Sequence, residues 1–140
     1  MADQQVRTVM TRAPVAVGAL TAVTEVARRM RDDDIGAILV TEGDELRGLV
    51  TDRDLVVRVL AEGKDAGDTT GADVCSGQLV TVTPDEQVDR AIELMREHAL
   101  RRLPVVENGD VVGIVALGDL AVDRDPTSAL SDISASSPNT

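Results

Sequence analysis

Phenylalanine, tyrosine and tryptophan are all missing from the 140 residues. That excludes recognition through aromatic anchors, such as stacking of single-stranded bases or caging of quaternary amines, so any bound ring must lie between aliphatic side chains. Cysteine is nearly absent as well, and the single Cys75 leaves no intrachain disulfide to form. With one cysteine, one histidine and no tyrosine, no nucleophile–base pairing can be assembled, and no motif for a chemistry-bearing cofactor is present. A catalytic role is not expected. No apolar run approaches the about 18 residues of a membrane span. The opening MADQQVRTVM has neither the apolar core nor the cleavage pattern of a signal peptide, so the chain reads as soluble and cytoplasmic. Basic residues are few: 14 Lys and Arg face 25 Asp and Glu, and a net charge of −11 repels nucleic-acid backbones and anionic lipid surfaces.

What is present is an aliphatic core and a repeat. Hydrophobic residues make up 43% of the chain, all of them Val, Leu, Ile, Met, Ala or Cys. The length suits one compact domain, or two small repeats that fold as a unit. Sliding the sequence against itself by 65 residues brings Val9, Val15, Val17, Val23, Met30 and Arg31 onto Val74, Val80, Val82, Val88, Met95 and Arg96 without a gap. The match continues from Gly48, Val50, Asp54, Leu55 and Val57 to Gly113, Val115, Asp119, Leu120 and Val122, which marks a duplicated module.

Each copy has the same order of signals. Val23, Val26, Ala27 and Met30 are spaced as one helix face, and Val88, Ala91, Ile92 and Met95 repeat that spacing. Thr83-Pro84-Asp85-Glu86 predicts the start of the second helix, with a capping-box Thr, Pro at the first helical position and Glu at the third. Gly18-Ala19-Leu20-Thr21 marks the first less clearly. Two short apolar runs then flank a turn, 35–41 and 46–50 around Glu42-Gly43-Asp44-Glu45, and 103–106 and 111–115 around Asn108-Gly109, a strong hairpin pair. Pro104 places its strand at an edge, or with its missing donor pointing away from a partner. A shorter helix follows each hairpin, clearest over 52–61.

The expected fold is α/β (α+β): a short strand at 15–17, a helix, a hairpin and a helix, twice over. Each copy would be marginal alone, so the two are expected to pack through their sheets as a pseudo-twofold pair. Repeat 1 is drawn over 6–61, a Gly-, Asp- and Thr-rich linker over 62–73, and repeat 2 over 74–124. In 125–140, Pro, Ser, Asn and Thr dominate without periodicity, and the expectation is a disordered tail.

The segment Gly48-Leu49-Val50-Thr51-Asp52-Arg53-Asp54 is the most informative. A buried strand runs straight into a helix whose first amides are unpaired, which suits an anion; Thr51 offers a hydroxyl to a phosphate, and Asp54 an acceptor to a ribose diol. The same Thr-x-x-Asp spacing is that of a capping box. Both readings stand, and one residue can do both jobs.

Two ungapped copies of strand, helix, hairpin and helix, with Val9-Met10-Thr11, Leu103-Pro104-Val105-Val106 and Gly48 to Asp54 in the right order, resemble a tandem pair of cystathionine-beta-synthase (CBS) domains, a Bateman module. The resemblance covers roughly residues 6–122. It implies regulation rather than chemistry: such pairs bind adenosine-containing ligands, among them AMP, ADP, ATP, S-adenosylmethionine and some cyclic dinucleotides, in clefts between the repeats. Carried over by position, it makes Thr51 the phosphate contact and Asp54 the ribose contact of one site, Asp119 the ribose contact of the other, and Arg102 a phosphate-binding base. The second copy departs from the pattern in Gly113-Ile114-Val115-Ala116-Leu117-Gly118-Asp119, where Ala116 replaces the hydroxyl residue, so the Asp119 site is expected to be the weaker or empty one. The family also implies a homodimer.

Other candidates have plainer readings. Cys75 stands at the repeat position of Met10 and reads as a small buried apolar residue, with an exposed crosslinking thiol as the minor alternative. His98 lies near a helix C-terminus, where a cation is favoured. Asp32-Asp33-Asp34 lacks the spacing of a calcium loop and reads as a solvated helix end, and Arg101-Arg102 as surface salt-bridge partners unless an anionic ligand is present. The expectation is a regulatory CBS pair that binds an adenosyl ligand and signals to a protein partner or its own dimer, with no metal and no catalytic cofactor. The alternative is a ligand-free structural or stress-associated homodimer in which Thr51 and Asp54 only cap a helix.

Overall fold

The computed structural model describes residues 4–76 and 79–124; the tail 125–140 lies outside them. The described residues form two compact units. One runs from Pro14 to Leu79; the other joins the residues up to Ala13 to those from Val80 onward.

In the first of these, β2 (Ala16–Gly18), α1 (Val23–Asp33), β3 (Ala37–Glu42) and β4 (Glu45–Thr51) follow one another. The sheet order is β2-β3-β4, with β2 parallel and β4 antiparallel to β3. α1 buries Val23, Val26 and Met30 against Ile38, Val40 and Val50 of the sheet, whereas Ala27, grouped with that face by its spacing, is exposed. The helix expected over 52–61 is α2 (Asp52–Leu55) continued by a π-helical turn, Val56–Leu60, closed by the Ala61 N–H donating to the Val56 carbonyl at 2.8 Å. The wider turn falls on Val56, Val57 and Val59, whose β-branched side chains crowd a regular α-helix.

The other unit repeats the scheme with α4 (Val88–His98), β5 (Arg102–Glu107), β6 (Asp110–Ala116) and α5 (Leu117–Arg124). Its core combines Val88, Ala91 and Met95 of α4 with Leu103, Val105 and Val115 of the hairpin. Asn108 and Gly109 both take positive φ, 54° and 86°, as a tight two-residue hairpin turn requires. Even the irregularities recur: β3 shifts register between Val40 and Thr41, and β5 between Val105 and Val106.

The repeats differ where Leu39 is replaced by Pro104. In the first, the Leu39 N–H donates to the Val15 carbonyl at 3.0 Å and β2 pairs with β3 over three residues. Pro104 has no N–H to give Val80, and the pairing shrinks to the single bridge Val82↔Val105. β5 is accordingly a terminal strand in the order β1-β6-β5, where β1 is Thr11–Arg12, as its proline implies.

The segments that lead into the repeats are each docked. Residues 4–12 pack on the second hairpin and helix: β1 (Thr11–Arg12) pairs antiparallel with β6, Thr11 opposite Ile114, and Val6 is fully buried. The stretch 62–73, read from composition as a linker, carries α3 (Gly71–Val74) with a capping box between Thr70 and Asp73, and residues 69–76 dock on the first repeat in the manner of 4–11 on the second. The Gly71 N–H donates to the Thr21 carbonyl (2.8 Å) and Ser76 to Leu49 (3.0 Å), the counterparts of Val6 to Glu86 and of the Thr11–Ile114 pairing.

This docking also starts the helices. Neither α1 nor α4 has a side-chain cap bond; the first amide of each, Val23 and Val88, donates to the carbonyl of Thr69 (2.8 Å) or Gln4 (2.9 Å). The expected start of α4 at Thr83-Pro84 is therefore corrected to Val88. Thr83 to Glu86 forms a turn instead, with Glu86 Oε2 accepting the Thr83 N–H at 2.9 Å.

Each long helix ends on a left-handed residue, Asp34 (φ 53°) and Ala99 (φ 53°). Ala99 carries a Cβ in that region without the polar side chain that eases it in Asp34. Ala99→Gly is expected to stabilise the chain by about 0.5–1 kcal/mol, read as a higher urea midpoint by circular dichroism.

Candidate functional site

β4 delivers Thr51 at its last position, extended (φ −106°, ψ 164°), and α2 begins at the next residue. The Thr51 N–H donates to Asp54 Oδ2 at 2.8 Å, and the Asp54 N–H donates to Thr51 Oγ1 at 3.1 Å. The two residues expected to share one ligand are thus brought together in a complete capping box. Asp54 Oδ1 meets Arg58 Nε at 3.7 Å, longer than a hydrogen bond, and an Arg58 amino group donates to the Val74 carbonyl at 3.4 Å. The Asp54 side chain is 21% exposed, so the carboxylate is held in place but still meets solvent.

Arg58 was missed in sequence, although the i,i+4 spacing from Asp54 signals an ion pair on one helix face. Thr70 and Asp73 were missed too. Their capping box has the same pattern, 2.9 Å from the Thr70 N–H to Asp73 Oδ2 and 3.3 Å from the Asp73 N–H to Thr70 Oγ1, and the Thr70 N–H holds the exposed Asp73 carboxyl below its ordinary value.

Arg102 and Asp119 lie in the other unit. Arg102 opens β5 directly opposite Ala116 of β6, and the Ala116 N–H donates to Asp119 Oδ2 at 3.1 Å. With alanine at 116, the hydroxyl half of the box found at Thr51 is absent. Burial pushes the Asp119 carboxyl up, only partly offset by the Ala116 N–H. The native state therefore holds this proton more tightly than the unfolded chain does. The resulting stability is full below the unfolded value near 3.8 and is lost as the pH rises through the raised native value. Asp119→Asn, which keeps an oxygen for Ala116, is expected to gain stability relative to the parent as the pH is raised from about 4 to about 7, checked by urea unfolding at both ends.

The remaining candidates take up structural or surface positions. Cys75 is half-buried beside the first repeat's core, its Sγ 3.7 Å from the Ala72 carbonyl, and burial pushes the thiol up despite nearby Arg47 and Arg58. His98 is exposed at the last position of α4. Asp32 and Asp33 pair with Arg31 and Arg29, and Asp34 ends the helix. Among the described residues no group of three or more His, Cys, Asp or Glu side chains could hold a metal ion. No helix among them is long and apolar enough to cross a membrane.

Comparison with known proteins agrees with this geometry. The family pattern described as CBS domain matches residues 6–61 and 72–122. The CBS domain-containing protein YhcV of Bacillus subtilis is 41% identical over 119 residues, 85% of this chain and 84% of that protein. Hypoxic response protein 1 of Mycobacterium tuberculosis is 34% identical over 116 residues, covering 82% and 81%. A crystal structure of Hypoxic Response Protein I with two coordinated zinc ions superposes with a TM-score of 0.77 at 33% identity, over 84% of this chain and 97% of that one. The CBS-domain structure NE2398 gives 0.79 at 28% identity, over 86% and 96%. With two matched copies that fill most of its length, the chain belongs to the CBS domain family.

Proposed function

We propose that this chain is a regulatory CBS pair, acting in the cytoplasm rather than as an enzyme, that binds an adenosine-containing ligand such as AMP, ADP, ATP or S-adenosylmethionine through Thr51 and Asp54. The carrying observation is the state of Asp54. One oxygen is fixed by the Thr51 N–H at 2.8 Å, while the other meets only a loose Arg58 contact at 3.7 Å and keeps lone pairs for a diol. Thr51 Oγ1 accepts the Asp54 N–H and retains its own proton for a phosphate oxygen. Arg102 and Asp119 form the second, weaker half of the reading, without a hydroxyl at position 116. The CBS pair of protein MJ0100, which shares this fold at 24% identity and a TM-score of 0.75, is solved with 5′-methylthioadenosine and S-adenosyl-L-methionine.

Signalling would follow as a population shift: the ligand favours whichever arrangement it binds more tightly, and only that difference in affinity does work on a protein partner or on a homodimer of this chain. A structural, ligand-free homodimer is the second reading, and one observation favours it. Both bonds of the Thr51–Asp54 box are those of an ordinary helix cap, and the same box recurs at Thr70–Asp73.

The missing aromatics supply the test. An ultraviolet spectrum of the freshly purified protein, followed by mass spectrometry of released small molecules, sees any bound adenine without protein background. A stoichiometric adenosyl compound, or a calorimetric response to added AMP, ATP or S-adenosylmethionine, is the expected result. A flat spectrum and no response to any of them would leave the structural dimer.

A further inference from the structure

The second repeat is completed by a piece of chain that is remote in sequence. Within residues 4–12, the Val6 and Arg7 N–H groups donate to the carbonyls of Glu86 (2.9 Å) and Pro84 (3.1 Å), and the Gln4 carbonyl accepts from Val88 at 2.9 Å. Arg7 forms an ion pair with Asp85, and Thr11 and Arg12 pair with Ile114 and Gly113. Val6 is 0% exposed within the second core. Without this segment β6 would lose a neighbouring strand and α4 the acceptor of its first amide.

The covalent link between this segment and the first repeat is Ala13-Pro14. Ala13 is left-handed (φ 50°), a strained conformation for alanine, and a following proline drives its predecessor toward extended backbone instead. A short, strained hinge that relaxes on extension is the condition under which a docked segment is exchanged between copies. Exchange would sacrifice none of the contacts named above, because a second chain's segment meets the same carbonyls and the same strand.

We propose that residues 4–12 are an exchangeable arm, and that the groove they fill on the second repeat accepts the arm of a second copy of this chain. The exchanged species is a dimer in which each second repeat is completed by its partner. This assignment stands independently of any ligand.

Two full-length chains test it, both with Cys75→Ser, one carrying Thr11→Cys and the other Ile114→Cys. Positions 11 and 114 are directly opposed across β1 and β6, within reach of a disulfide. The chains are unfolded together, refolded as a mixture and oxidised, and the products are separated on a non-reducing denaturing gel. The expected result is a covalent heterodimer well in excess of both homodimers, its share rising with the concentration during refolding. Adding Ala13→Gly to both chains, which removes the hinge strain, should lower that yield about fivefold. A third chain carrying both cysteines checks that the arm docks at all. If it locks quantitatively as a covalent monomer while the mixture gives no heterodimer above the homodimer level, the arm serves only its own chain and the proposal is overturned. Failure of the double-cysteine chain to form any 11–114 bond would overturn the docking itself.

Discussion

Gly48→Ala is expected to destabilise the chain by about 3 kcal/mol, one of the two largest effects the structure implies. Gly48 does not need glycine for its backbone angles, since its φ is not positive. It needs the space: a Cβ there would sit 2.3 Å from the Ser76 carbonyl oxygen and 3.0 Å from Cys75 Sγ. The oxygen belongs to backbone that is itself tied down, because the Ser76 N–H donates to the Leu49 carbonyl at 3.0 Å, so the strand and the docked segment cannot separate without losing that bond. Gly113 is in the same position, with Met10 Sδ at 2.7 Å and the Thr11 carbonyl at 2.8 Å, but the methionine can yield and the backbone oxygen stands farther off than the 2.3 Å at Gly48, so Gly113→Ala should cost less. Gly43 provides the control. Its Cβ would meet nothing, and alanine there carries only the penalty of φ +63°, about 1 kcal/mol. Urea unfolding followed by far-ultraviolet circular dichroism, the natural probe in a protein without tryptophan, should rank the three variants in that order. A Gly48→Ala variant as stable as Gly43→Ala would show that residues 75–76 do not lie against β4.

The order of effects bears on what the sequence could and could not reveal. The duplicated module, both hairpins and the Asn108-Gly109 turn were legible because they are local: alternation and turn chemistry act over a few residues. The start of α4 was misread for a related reason. Thr83-Pro84-Asp85-Glu86 has the composition of a helix start, but the amide that opens the helix, Val88, is satisfied by the carbonyl of Gln4, which no local pattern can announce. Likewise, Gly48 and Gly113 align in the repeat, yet only the fold shows that each faces a lead-in segment, residues 75–76 for one and 10–11 for the other. At the candidate site the pairing of Thr51 with Asp54 was legible from a three-residue spacing. The partnership of Arg58 with both Asp54 and the Val74 carbonyl was not, since the second half of it spans sixteen positions of chain.

The second large effect separates binding from capping, and the protein carries its own control. Asp54 and Asp73 occupy the same position in two capping boxes of the same unit, with matching bonds to Thr51 and Thr70. Asp54→Asn and Asp73→Asn should each weaken one box and lower stability slightly, by about 1 kcal/mol or less for Asp54, which also gives up its solvent-screened contact with Arg58. If Asp54 is the ribose contact, only its substitution should reach the ligand. A diol donating to a carboxylate gains about 1.5–3 kcal/mol, so the affinity for AMP or S-adenosylmethionine by calorimetry should fall about 10–100-fold in Asp54→Asn and stay unchanged in Asp73→Asn. Equal affinities in the two variants would remove Asp54 from the site, because a residue that acts only through the helix cap has no means of being distinguished from its twin.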